Sequence, residues 1–403
     1  MPLRLKSSIV LLLAMAATTI AVLAAFRIIG TDHRSFPVPD RRAIEPSRPT
    51  DLAVPPATDL APRSIVLVIG DGMGLGHLSA VSALVRGPAG GLAVERAPVV
   101  GLVRTWAADT LVTDSAAAAS AMATGLKTPK KAVSQQPDGS APRTLLEAAA
   151  EIGMATGVVT TAGLADATPA AFLAHAGRRE EYRRILEQML TSNATVLIGG
   201  DWQRSRKARR QPDYLELVRD AEAVAGARFT VVRDAAALAS APAPLLALLP
   251  ARPGSRSAHG PPLAESTRRA LDLLGDRAAG FLLVVEQEET DESAHDHDLD
   301  AVVAAMTELD EALRVILEHA AAHSDILVVV TADHDTAGLA ITDGDLDEGS
   351  AALRWLDHDH LNTWVPLFAF GPGAARFAGV LENTDIGRRI AEMLGFEGFP
   401  PAS

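Results

Sequence analysis

The chain has 403 residues, enough for one large domain or two ordinary ones. It is 48% hydrophobic but only 4% aromatic, so its core must be mostly Ala, Val, Leu and Ile, and a net charge of -13 argues against a general nucleic-acid binder, which wants a basic face. The absence of cysteine excludes disulfides, thiolate metal sites, a Cys nucleophile and a lipobox anchor, leaving His, Asp, Glu and hydroxyl groups as metal ligands.

Arg4 and Lys6 precede an apolar run over residues 9–26. This run lies between a signal-peptide core and a spanning helix in length. Residues 1–30 are therefore expected to be a signal peptide, with Val22-Leu23-Ala24 as a small-x-small cleavage pattern, or an N-terminal membrane anchor. In both cases the basic residues stay inside and the rest is exported, to the periplasm or beyond. Residues 31–63 carry Pro37, Pro39, Pro46, Pro49, Pro55, Pro56 and Pro62 and read as a linker without regular structure.

From residue 64 the pattern changes. Short apolar runs recur at 65–69, 157–160, 196–198, 281–285, 326–330 and 367–370. They are continuous rather than alternating, which implies strands buried on both faces. Helix-compatible stretches such as 145–152 and 299–319 lie between them. The pattern predicts one α/β body over 64–403, a mostly parallel sheet with helices on both faces. Residues 201–262 fit less well and are expected to form a small cap or insertion. Their basic run at 204–210 reads as a solvated loop, with a phosphate or lipid-headgroup contact as the sharper alternative.

Ligands of such folds bind at the carboxyl ends of the strands, and each strand end here delivers polar groups. Gly70-Asp71-Gly72-Met73-Gly74 follows the first run; alone it is a turn with an Asp. Glu286 follows the fourth, and Asp291 and His295 are spaced to share one helix face and one cation, although an acidic surface helix would look similar. Thr331-Ala332-Asp333-His334 ends the fifth run, where unpartnered polar groups would be costly to bury. His358 and His360 precede the sixth.

Thr113-Asp114-Ser115 opens an Ala-rich helix that Gly125 would stop. Ser115 thus stands where helix N–H groups favour a phosphate. Read locally, a simple N-cap at Asp114 or Ser115 explains the segment better. No Ser-His-Asp triad is evident, so a nucleophilic serine would need metal activation.

Taken together, these segments resemble the alkaline phosphatase family. The matching pieces are residues 69–74, 113–117, 166–171 (Asp166-Ala167-Thr168-Pro169-Ala170-Ala171), Glu286 with Asp291 and His295, residues 331–334, and His360 ahead of Gly371-Pro372-Gly373. The resemblance implies hydrolysis of small-molecule phosphate monoesters through a phosphoserine at Ser115, with Asp114 beside it in the substrate site. It implies one zinc on Asp291, His295 and His360, and a second on Asp71, Asp333 and His334. It implies a magnesium on Asp71, Thr168 and Glu286, with Asp166 holding a magnesium-bound water. Arg179 would clamp the substrate phosphate in bidentate fashion, with Arg178 as rival. Glu292 departs from well-known branches, which carry Lys or His there; its charge bears on phosphate affinity and metal preference.

Other readings stay open. One is a phosphodiesterase or sulfatase of the same superfamily, although Ser115-Ala116-Ala117-Ala118 lacks a sulfatase's Pro- and Arg-containing motif. Another is a non-catalytic metal or phosphate binder. No nucleic-acid partner is expected. Membrane attachment through residues 9–26 and assembly as a homodimer are both compatible with the sequence.

Overall fold

The computed structural model describes residues 31–36 and 52–400, except 89, 203–209, 227, 254, 256–257 and 276–277. The N-terminal segment and most of the basic run 204–210 therefore lie outside the described residues. Among the described residues, no helix is long and apolar enough to cross a membrane.

The strands are β1 (Thr31–Ser35), β2 (Ser64–Gly70), β3 (Val99–Arg104), β4 (Ala155–Gly163), β5 (Val196–Gly200), β6 (Thr230–Val232), β7 (Leu245–Leu249), β8 (Phe281–Gln287), β9 (Ile326–Ala332), β10 (Asp335–Thr336), β11 (Ala340–Asp345), β12 (Ser350–Arg354), β13 (His360–Leu361), β14 (Val365–Phe370) and β15 (Gly379–Glu382). Ten of them form one sheet in the order β15-β3-β14-β9-β2-β8-β4-β5-β7-β6. All neighbours pair in parallel except β14, which runs antiparallel to β3 and β9. Strands β2, β4, β5, β7, β8 and β9 are buried at every position, which is why all of them but β7 stand out in the sequence by a continuous apolar run.

The helices fall into two groups. Leu263–Leu274 packs against Leu299–Ala322, which also meets β2, β8 and β9. Ser115–Thr124 packs against Ala167–Ala171 and Asn383–Leu394. The described part of 201–262 lies at the sheet's far edge and extends it through β6 and β7.

Residues 31–63 differ from the expected linker. Thr31–Ser35 forms a strand, β1, antiparallel to β12 in a second, three-stranded sheet, β1-β12-β11. The first proline of the segment is Pro37, so these residues keep the amide donors a ladder needs.

Two registers place the chemistry. Ile69 lies opposite both Glu286 and Thr331, and Glu286 also lies opposite Thr160. Parallel strands in this register end together, so Asp71, Glu286 and Asp333 emerge side by side. The two-residue pairing of β10 with β13 sets Thr336 opposite His360, which brings a distant histidine beside His334.

Candidate active site

Asp114 caps the helix Ser115–Thr124: its Oδ1 accepts from Ala117 N at 3.1 Å. Ser115 is the first helical residue, so the cap leaves its hydroxyl uncommitted to that role. Ser115 Oγ lies 3.4 Å from His334 Nε2. Asp114 Oδ1 also accepts from Lys131 N at 3.0 Å, and Lys131 O accepts from Arg179 N at 2.7 Å. Arg179 in turn reaches Asp114 Oδ2 at 3.4 Å and Asp166 Oδ1 at 3.0 Å. Burial disfavours its charge, but Asp166 and Asp114 outweigh that and hold it firmly cationic. Arg178 instead pairs with Glu180 at 3.3 Å on an exposed stretch, which leaves Arg179 as the arginine at the site.

Two clusters of side chains converge beside Ser115. In the first, His295 Nε2 is 3.4 Å from Asp291 Oδ2 and 3.2 Å from His360 Nε2, and His360 Nε2 is 3.6 Å from Asp291 Oδ1. In the second, His334 Nε2 is 3.2 Å from Asp333 Oδ2 and 3.5 Å from Asp71 Oδ1. His334 also stacks on His360 with ring centroids 3.7 Å apart. The groups Asp291–His334–His360 and Asp71–Asp333–His334 each bring their ligand atoms within 4.8 Å of one another, close enough to share one ion.

The tautomers follow from the partners. A carbonyl oxygen can only accept, so His295 Nδ1 donates to His358 O at 2.5 Å, and His360 Nδ1 donates to Thr113 O at 3.0 Å. Thr336 Oγ1 donates to Asp291 Oδ1 and faces His334 Nδ1 at 3.2 Å, where it accepts. All three rings thus turn Nε2 inward. With both Nδ1 atoms donating outward, the Nε2 atoms of His295 and His360, 3.2 Å apart, are left to share either a proton or a cation.

The carboxylates make the same demand. Burial pushes Asp71 well above the usual carboxylate range, and the nearby Asp333 and Asp291 push it further. Burial and Asp291 lift Asp333 to about 7. Glu286 rises to about 8; burial is the main cause, the Thr160 hydrogen bond opposes it and Asp166 adds to it. Asp291 goes the other way: burial would raise it, but the His295 hydrogen bond and the His334 and His360 charges hold it well below. Its hydrogen bond lifts His295 to about 9. Without a cation the raised groups, Asp71, Asp333, Glu286 and His295, favour their protonated forms, while Asp291 stays ionised; a divalent ion on the same donors would displace those protons.

The donor set fits such ions. Asp71 Oδ1, Asp333 Oδ2 and Thr168 Oγ1 are buried and make no hydrogen bond within the protein. His and carboxylate donors suit zinc, while the oxygens of Asp71, Thr168, Asp166 and Glu286 suit magnesium. A cavity of about 400 Å³ opens onto this centre, lined by Asp71, Ser115, Asp166, Arg179, Asp291, His295 and His360 and rimmed by Lys130, Lys131, Glu180, Glu292 and Asp359. A larger cavity of about 530 Å³ lies elsewhere, against Arg143, Glu147 and His175, and holds none of these groups.

Sequence reasoning missed Thr336, which ties Asp291 to His334, and the Thr113 carbonyl that aims His360. The first had a signal, a hydroxyl two residues past His334. The second is a backbone atom and had none.

The alkaline phosphatase family profile matches residues 62–208 and 249–349. His360 lies beyond that span, and most of 201–262 lies in its gap. Streptomycin-6-phosphate phosphatase of Streptomyces griseus is 35% identical over 408 residues, covering 83% of this chain and 90% of the relative. Alkaline phosphatase of Escherichia coli (strain K12) is 29% identical, covering 84% and 88%. The solved alkaline phosphatase from the Antarctic bacterium TAB5 matches with a TM-score of 0.71 at 26% identity, covering 86% of this chain and 100% of that one; variants of that protein were solved with Mg in its M3 site. With the fold and the gathered motif residues, these matches show that the chain belongs to the alkaline phosphatase family and is a phosphoric monoester hydrolase.

Proposed function

We propose that the chain hydrolyses phosphate monoesters through a phosphoserine at Ser115, outside the cytoplasm. The observation that carries this is the convergence of Ser115, Arg179, Asp71, Asp291, His295 and His360 on one cavity, with Asp333 and His334 buried behind it. Asp291, His295 and His360 would hold one zinc, Asp71, Asp333 and His334 a second, and Asp71, Asp166, Thr168 and Glu286 a magnesium. When bound, these cations would lower the pKa of the serine hydroxyl and stabilise charge on the entering and leaving oxygens.

The chain's own residues do the rest. Arg179 is presented by Asp114, Asp166 and the Lys131 carbonyl, so its two N–H groups are aimed before substrate arrives. They take two phosphate oxygens. Ser115 Oγ attacks phosphorus on the side opposite the leaving alcohol, giving up its proton to solvent as the P–O bond to the alcohol breaks and the departing oxygen takes a proton up. The helix N-terminus at Ser115 offers its backbone dipole to the phosphoryl group. Water then cleaves the phosphoserine and releases inorganic phosphate. A guanidinium fork suits the doubly charged monoester better than a diester, which offers one fewer anionic oxygen. Export rests on Arg4 and Lys6 ahead of the apolar run 9–26.

The decisive experiment is turnover of an aryl phosphate by Ser115→Ala. Activity is expected to fall by roughly 10³-fold or more, as for other enzymes that lose a nucleophile. Wild-type-like turnover would remove Ser115 from the mechanism.

A further inference from the structure

His295 and His360 are the least sheltered members of the two clusters. His295 ends a seven-residue helix, Glu289–His295, with its side chain 31% exposed, and His360 begins the two-residue strand β13. Neither element is long enough to fix a ring by itself. Yet the rings are aimed, and the structure beside them shows what does it.

Three aromatic rings stand in a column there. His358 stacks on His297 with centroids 3.7 Å apart and planes 10° apart. His297 stacks on Trp355 at 5.1 Å and 2°. Trp355 is 1% exposed and anchors the column in the core. The column joins the two segments that carry His295 and His360, and hydrogen bonds lock the joint in both directions. His295 Nδ1 donates to His358 O at 2.5 Å, and His358 Nδ1 donates to His295 O at 3.0 Å. His297 Nε2 donates to Asp357 O at 2.6 Å. His297 does this from a left-handed backbone conformation, φ 55°, which a non-glycine residue adopts only when its surroundings compensate.

We propose that His297 and His358 are positioning residues: a clasp that aims His295, holds the segment carrying His360 against it, and so sets how long a cation shared by the two stays. The clasp touches neither substrate nor the reacting atoms. It rests on the reading of His295 and His360 as metal ligands. Its physical basis is that a ring held through its outer N–H and its own backbone loses no orientation entropy when Nε2 takes a metal.

The test uses the full chain loaded with zinc and compares wild type with His358→Ala, His358→Asn and His297→Asn. Zinc release into excess chelator is followed with time, and the visible spectrum is recorded after cobalt replaces zinc. In His358→Ala, one class of zinc is expected to leave about 10- to 100-fold faster, the range typical for loss of such supporting contacts. The other metal should leave at the wild-type rate, and the cobalt bands should change. Asparagine can offer an N–H where His358 Nδ1 did, so His358→Asn should recover most of the retention. His297→Asn keeps a residue that tolerates the left-handed backbone but removes the stacked ring; it should release the same zinc faster. Wild-type release rates and spectra in all variants overturn the clasp while leaving the ligand assignment standing. So does equal acceleration of every metal with a lower melting temperature, which would mean general loosening. A wild-type chain that takes up no zinc overturns the ligand assignment itself, and the clasp with it.

Discussion

Thr336 joins the two clusters with one hydroxyl. It donates to Asp291 Oδ1 and accepts from His334 Nδ1 at 3.2 Å. Valine has the same shape without the hydroxyl, so Thr336→Val would strand both partners in a buried place, at a cost of about 1–3 kcal/mol. Metal affinity should fall about 10- to 100-fold, read by competition with a chromogenic chelator; unchanged affinity would mean that Thr336 only fills space. Gly72 closes the same corner. Its φ is +69°, and a Cβ there would meet Thr336 Oγ1 at 2.7 Å, so the Gly-Asp-Gly pattern around Asp71 is a steric requirement of the centre as well as a turn. Asp71, Asp333 and His334 were legible because they follow apolar runs directly. The local reading of an N-cap at Asp114 or Ser115 resolves to Asp114, and Ser115 is what the cap places.

The helix Ser115–Thr124 is buried at all ten positions, which explains its alanines: no face of it meets water, and small side chains let neighbours approach. The nearest approach is Gly387 on Asn383–Leu394, where a Cβ would lie 2.2 Å from Met122 O. Gly387→Ala must push the two helices apart. It should cost about 1–3 kcal/mol and lower kcat by shifting Ser115; a parent-like melting temperature and kcat would refute the close packing. Elsewhere, Glu147 and His175 tie the helix Leu145–Glu151 to the loop after the nucleophile helix, at 3.1 Å, and His175 Nδ1 donates to Ser134 O at 2.6 Å. Burial pulls His175 down, but Glu147 and the Ser134 carbonyl outweigh it and raise it above its usual 6.5. Burial pushes Glu147 up, but His175 and the Thr144 amide bring it below its usual 4.5. The raised His175 stabilises fully below pH 6.5 and less as pH climbs through its folded value; the lowered Glu147 stabilises above pH 4.5 and less as pH falls through its own. The pair therefore contributes most between those limits. His175→Gln should lower the unfolding free energy most there, by about 0.5–1 kcal/mol after solvent screening, and progressively less towards pH 9. A deficit that grows towards pH 9 would refute this pairing. At this scale the central strands were legible because burial on both faces leaves an unbroken apolar signature. Strand β7 was hidden among prolines and alanines, and β1, β11 and β12 are short and partly exposed, so no such signature marks them.

Across the whole molecule, the centre is assembled from the ends of β2, β4, β8 and β9 together with the nucleophile helix and the β10–β13 pair. Ions bound there would tie distant parts of the chain together, and without them the inward-facing carboxylates compete for protons. Excess chelator should lower the melting temperature by roughly 5 °C or more, as expected for loss of a tightly bound ligand, and added zinc and magnesium should restore it. A melting curve indifferent to chelator would count against a metal centre at these residues. The sheet order was not legible, since apolar runs name strands without naming their neighbours. The antiparallel β14 and the pairing that brings His360 home are long-range facts that no local window contains. That last pairing also has a consequence in time. Asp71 and His360 are separated by 360 − 71 = 289 positions, which at about 5–20 residues per second is roughly 15–60 s of synthesis. A growing chain thus carries an unfinished set of donors for that whole interval, and the centre waits on a residue made long after the first of its partners.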